Sequence, residues 1–110
     1  LGLSVLQQIS PLDLHARLQR GDCPLLLDVR ESWEFAVCRI DGSELIPMSQ
    51  IVRRLGDLDR ARETVVICHH GIRSQQVALY LDHQGFRHII NLQGGVAAWA
   101  RDVDPEMPTY

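Results

Sequence analysis

VVICHHGIRSQQVALYL, residues 65–81, changes periodicity partway along. Thr64, Val65, Val66 and Ile67 form a β-branched run of the kind that fills a strand buried on both faces. Beyond Gly71 the spacing of Val77, Ala78 and Leu81 is helical, and Gly85 supplies a C′ stop, so a helix is expected over 72–84. Cys68 ends the strand just before the turn. A strand that feeds a helix in this way is half of a β-α-β unit, and parallel strands need such crossovers.

The same alternation extends in both directions. Ser10, Pro11 and Asp13 read as N-cap, first helical proline and acidic first turn, with Leu14 and Leu18 as the apolar stripe and Gly21 as the stop. Pro24-Leu25-Leu26-Leu27-Asp28-Val29 is a second buried strand, followed by a short helix over 31–36 beginning near Ser32. Leu45-Ile46-Pro47 has room only for a brief strand. Met48, Ile51, Val52 and Leu55 recur at i, i+3, i+4 and i+7, which predicts a helix. His88 to Asn91 is another short strand, Gly94-Gly95 a tight loop, and Val96 to Ala100 a last helix. Residues 101–110 hold two prolines and no period and are expected as an extended C-terminal tail. Strands alternating with helices predict an α/β fold, a central parallel sheet flanked by helices on both faces.

At 110 residues, with 45% hydrophobic residues, residues 1–110 are expected to form a single domain. No apolar run is long enough to span a bilayer, and Leu1-Gly-Leu-Ser-Val-Leu6 lacks the basic flank of an export signal, so no membrane role is expected and the chain reads as cytoplasmic. The first residue is not Met, which leaves a processed N-terminus open. A net charge of −3, no lysine and dispersed arginines argue against nucleic-acid binding, which needs a clustered cationic footprint. Three cysteines, Cys23, Cys38 and Cys68, make neither a C-x-x-C pair nor an even framework. Cys23 and Cys38 are read as incidental thiols.

Cys68 differs because of its place. Ligands of open α/β sheets gather beyond the carboxyl ends of the strands. Between Cys68 and Arg73 the chain must reverse and enter a helix, so backbone N–H groups without helical partners can converge on the sulfur, and Gly71 eases the bend. Such donors favour an anionic sulfur and, more strongly, a persulfide, whose outer atom lies one bond deeper in the cradle. Arg73 either holds an anionic donor or braces the loop against a carboxylate. His69 and His70, being adjacent, are expected to diverge and shape the mouth. Ser74 either hydrogen-bonds the sulfur or caps the helix. Asp28 and Arg30, at the carboxyl end of the neighbouring strand, are either an ion pair that orients the loop or a turn Asp beside a solvated Arg. Trp33 and Trp99 are read as packing residues. No four-ligand spacing supports zinc, and neither a metal nor an organic cofactor is called for.

Five ordered pieces of the chain then resemble the rhodanese family: Leu26-Leu27-Asp28-Val29-Arg30-Glu31, Trp33-Glu34-Phe35, Arg39-Ile40-Asp41-Gly42-Ser43, Cys68-His69-His70-Gly71-Ile72-Arg73-Ser74, and Asn91 through Trp99. The resemblance implies a rhodanese-like fold and a sulfurtransferase whose persulfide forms on Cys68, with His69, His70, Gly71, Ile72 and Arg73 as the active loop. It implies a sulfur donor such as thiosulfate or a persulfide, and a thiol, cyanide or protein acceptor. Arg39 stands where many members have His and Cys38 where Gly is common, so that turn is expected to differ. The stretch 103–110 is similar to the ends of rhodanese domains fused to enzymes that activate ubiquitin-like sulfur carriers.

Three rivals remain: a phosphatase or arsenate reductase on the same fold, a non-catalytic protein-binding module, and a persulfide carrier or redox sensor. The phosphatase pattern places five residues between cysteine and arginine, whereas four lie between Cys68 and Arg73.

Overall fold

The strands found among the described residues form one sheet and all run parallel, with Thr64–Ile67 in the centre. The computed structural model describes residues 6–110, so the reading of the Leu1–Leu6 stretch falls, apart from Leu6, outside the described residues. The strands are β1 (Gln7–Ile9), β2 (Leu25–Asp28), β3 (Glu44–Leu45), β4 (Thr64–Ile67) and β5 (Ile89–Leu92), in the spatial order β1-β5-β4-β2-β3. The helices are α1 (Pro11–Gln19), α2 (Ser32–Val37), α3 (Ile72–His83) and α4 (Gly95–Asp102).

The three central strands are buried at every residue, which is why they read as unbroken apolar runs. Their side chains sort onto two faces by parity. Leu26, Val65, Ile67, Ile90 and Leu92 pack with Leu14 of α1 and Val96, Trp99 and Ala100 of α4. Leu25, Leu27, Val66, Cys68 and Ile89 pack with Val77, Ala78 and Leu81 of α3. The expected α/β arrangement, a parallel sheet with helices on both faces, is therefore the observed one. β2 leads outward to β3, whereas β4 leads by way of α3 to β5 on its other side. The loops after β2 and β4 thus part company, and the crevice between them is the switch point of the sheet. Asp28, Arg30 and Cys68 all lie there.

Several local expectations hold. The Ser10 hydroxyl accepts from the Asp13 N–H at 3.1 Å with Pro11 first in α1, and Gly85 closes α3 at a φ of 88°. Others do not. The Met48–Leu55 pattern forms two 3-10 turns, Met48–Gln50 and Leu55–Asp57, instead of one helix; Met48, Ile51 and Leu55 still pack against the cluster of Val77 and Leu81, while Val52 is 68% exposed. So short a segment is a poor helix nucleus, and Gly56 weakens it further. β1 had no sequence signal: it is three residues long with two glutamines, held by its ladder to Ile90, Asn91 and Leu92.

The expected tail is also corrected. Arg101 and Asp102 are the last turn of α4, a helix rich in alanine, and beyond them Met107 is buried against Trp99 and Ala100. Met107 gives the segment an apolar anchor that its prolines conceal.

Leu27→Ala, at a fully buried position between β3 and β4, is expected to lower unfolding free energy by ~2–5 kcal/mol. Leu12→Ala, on the exposed side of α1, should stay within ~0.5 kcal/mol of the parent. Urea denaturation of both reads the difference, and equal costs would contradict this assignment of faces.

Candidate active site

Cys68 follows the last residue of β4, and the loop it opens turns at Gly71, whose φ of 95° admits no ordinary side chain without strain. A Cβ on Gly71 would also stand 3.1 Å from the Gly94 amide nitrogen. The Gly71 N–H donates to Cys68 Sγ at 3.1 Å. The thiol in turn donates to Ser74 Oγ at 3.2 Å, and that hydroxyl donates to Asn91 Oδ1 at 2.5 Å. The Asn91 amide holds Gly71 O at 3.2 Å and Gln8 Oε1 at 2.9 Å. The expected convergence of several amides is thus one amide hydrogen-bonded to the sulfur, joined by a side-chain hydroxyl that is anchored on β5. Ser74 lies inside α3 facing the sulfur, and the residue at the N-cap is Gly71.

The sulfur is enclosed: Cys68 is 1% exposed and shares an apolar cluster with Val77 and Ala78. Polar groups nonetheless meet it from the loop side. Cys38 is likewise buried and Cys23 exposed, and all three thiols are free.

The loop backbone is fixed from below by α4. Cys68 O accepts from the Val96 N–H at 2.9 Å and His69 O from the Ala97 N–H at 3.0 Å, which satisfies two amides of the first helical turn. This approach requires Gly95, since a Cβ there would collide with both of those carbonyl oxygens.

Arg73 braces the loop against a carboxylate. Its two terminal nitrogens each lie 2.8 Å from an oxygen of Glu34, a bidentate pair to α2. Arg73 holds the Glu34 carboxyl down at about 2 against the opposing effect of burial, with the Glu31 N–H and the Tyr110 hydroxyl assisting. The same bonds raise Arg73 above its ordinary value. Asp28 and Arg30 form a fully buried ion pair, Nη2 to Oδ2 at 2.7 Å, so Arg30 is not solvated. Arg30 also donates to Cys38 O at 2.7 Å and to Tyr110 Oη at 2.9 Å. No buried side-chain polar atom among the described residues lacks a partner.

The histidines do not diverge. Their ring centroids are 3.9 Å apart, and His69 stacks on Tyr110 at 4.0 Å with planes 20° apart. Alternation of side chains belongs to extended backbone, and this segment bends. Burial, with His70 adding to it, holds the His69 imidazole below its ordinary pKa. His70 and Ile72 are exposed at the loop surface. Trp99 packs in the core as expected, whereas Trp33 is 60% exposed and meets the Tyr110 ring edge-on.

Four residues of this site were not singled out from sequence. Glu34 stands three residues after the α2 cap and accepts from the Glu31 N–H at 3.0 Å, a capping-box spacing that could have been read. Asn91 interrupts an apolar strand, and a polar residue there is itself a signal. Gly95 sits in a recognised tight loop, but its partner is set by tertiary structure. Tyr110 offered no local signal.

The Glu34–Arg73 pair should leave a pH signature. Because Glu34 is held at about 2 against a usual 4.5, its contribution is complete above about pH 4.5 and is lost as pH falls through about 2. Arg73 is 35% exposed, so solvent screening limits the effect to ~1–2 kcal/mol. Urea midpoints compared between pH 7 and acid should fall less in Glu34→Gln than in the parent, and equal acid losses would count against the pair.

A rhodanese-like domain model matches residues 10–102. The chain is 36% identical over 104 residues to a protein of Mycobacterium tuberculosis named "Probable adenylyltransferase/sulfurtransferase MoeZ", covering 93% of this chain but only 26% of that protein. It is 35% identical over 97 residues to a protein of Allochromatium vinosum named "Sulfurtransferase", covering 88% of this chain and 91% of that protein. A crystal structure of a rhodanese-like domain protein from Staphylococcus aureus superposes with a TM-score of 0.81 at 30% identity, over 86% of this chain and 91% of that one. The matched span includes the strand-end cysteine, its loop and the α4 start that seats it, and the chain belongs to the rhodanese-like domain family.

Proposed function

We propose that the chain is a sulfurtransferase that carries a sulfane sulfur on Cys68. The observation that carries this reading is the Gly71 N–H aimed at Cys68 Sγ from 3.1 Å within a loop braced on both sides. The names of the Mycobacterium and Allochromatium relatives support the same class of reaction.

In this reading the Cys68 thiolate attacks the outer sulfur of a donor such as thiosulfate. A Cys68 S–S bond forms, the donor S–S bond breaks, and sulfite leaves with the bonding electron pair. The outer sulfur then projects about 2 Å beyond Sγ and carries the negative charge. Ser74 suits this cycle because a hydroxyl rotor can turn its proton from Asn91 Oδ1 toward the sulfur once the thiol proton has gone. An acceptor nucleophile, cyanide, a thiol or a protein thiolate, next attacks the outer sulfur and releases the Cys68 thiolate. Likeness to one part of a protein named as both adenylyltransferase and sulfurtransferase supports a protein acceptor. Asp28 and Arg30 act here by fixing the turn after β2, not by touching the donor.

Phosphatase chemistry is the weaker reading on a specific observation. Both terminal nitrogens of Arg73 are already engaged by Glu34, leaving that guanidinium committed to the brace instead of to phosphoryl oxygens.

Intact-mass measurement after incubation with thiosulfate, and separately with a low-molecular-weight persulfide, tests the proposal. The parent is expected to gain one sulfur atom that cyanide removes as thiocyanate, and Cys68→Ser to gain none. Failure of both donors to load the parent, or phosphate release from an aryl phosphate, would overturn it.

A further inference from the structure

Tyr110 is 37% exposed, yet both its ring and its hydroxyl are engaged by the site. Met107, anchored beside Trp99, brings the segment after α4 back across the active side of the sheet. There the Tyr110 hydroxyl accepts from Arg30 Nη1 at 2.9 Å and donates to Glu34 Oε2 at 2.8 Å. Its ring stacks on His69 at 4.0 Å, and Trp33 meets it edge-on at 5.3 Å. The partners belong to the turn after β2, to α2 and to the Cys68 loop.

Neither charged partner needs the phenol for satisfaction. Glu34 already accepts from both terminal nitrogens of Arg73 and from the Glu31 N–H, and Arg30 already holds Asp28 and Cys38 O. What the hydroxyl adds is a side-chain link between two ion pairs, Asp28–Arg30 and Glu34–Arg73. The ring adds a clamp on the imidazole that follows Cys68 directly in sequence. Burial pushes the phenol up to about 12, so it stays a donor to Glu34 throughout the neutral range.

We infer that Tyr110 is a positioning residue for the Cys68 loop: its hydroxyl sets the carboxylate that pins Arg73, while its ring holds His69. Its effect on rate rests on the sulfur-transfer reading, whereas its effect on the loop does not. Tyr110→Phe keeps the stack and deletes both hydrogen bonds, and Tyr110→Ala deletes stack and bonds together.

Sulfur transfer to cyanide should fall at least roughly tenfold in Tyr110→Phe, which loses hydrogen bonds to two charged partners, and further in Tyr110→Ala, mainly in kcat. Hydrogen exchange at the Gly71 amide should accelerate in both variants, with the central strands unchanged. The His69 imidazole, which faces His70, Glu34, Arg30 and Arg73 as well as the phenol, should keep its lowered pKa in Tyr110→Phe and return toward the ordinary value in Tyr110→Ala. Circular dichroism confirms that the variants compared are folded. If the parent takes up no sulfur, the function reading fails, and exchange and His69 titration still decide the positioning role. Parent-like exchange at Gly71 in both variants would overturn it, and so would faster sulfur transfer in Tyr110→Ala, which would mark the ring as a cover.

Discussion

The Cys68 loop depends on a backbone contact that tolerates no side chain. Cys68 O and His69 O dock onto the Val96 and Ala97 amides at the start of α4, and Gly95 is what lets the two backbones meet. This contact converts two helix-terminal donors that would otherwise need water into a seat for the loop. With the carbonyls turned down toward α4, the loop bends at Gly71 and returns its N–H to the sulfur. A strand-end cysteine alone would give none of this.

Around that seat lies a cluster of buried charge. Asp28, Arg30 and Glu34 are all nearly inaccessible, and they join loops whose elements diverge at the switch point of the sheet. Buried ion pairs contribute little net stability once desolvation is counted, but removing one partner leaves a costly orphan. Their use here is geometric: the pairs fix α2 and the turn after β2 relative to the Cys68 loop. Oil-like packing could fill the same space but could not grip a guanidinium in one orientation. Cys68 itself sits between these regimes, with Val77 and Ala78 on one side and donors on the other. A thiol exposed to solvent would be easier to reach but would lose directed donors to competing water.

The sheet was largely legible in the sequence because its signals are local. Leu25-Leu26-Leu27 and Thr64-Val65-Val66-Ile67 carry their burial on their faces, and Ser10-Pro11 and Gly85 mark ends by backbone chemistry. The errors have one cause. The Met48–Leu55 stripe packs on the core as two short turns and not as one helix, β1 exists only through its ladder to β5, and the path of residues 103–110 is set by where Met107 docks. Within the site, Cys68, Gly71 and Arg73 were legible since a thiol, a bend and a cation at a helix start have meaning in place. Glu34 and Tyr110 acquire theirs from partners 39 and 76 positions away, and the pairing of the two histidines follows from a bend.

In the proposed cycle the loop, held on α4, supplies main-chain donors to a sulfur carried on Cys68. A crystal structure of the protein after loading with thiosulfate tests this most directly. The outer sulfur is predicted within about 3.5 Å of backbone nitrogens of the 69–73 segment, with the Cys68 and His69 carbonyls still bonded to α4. An outer sulfur lodged instead against Val77 and Ala78, or a loop lifted off α4 to admit it, would contradict the account.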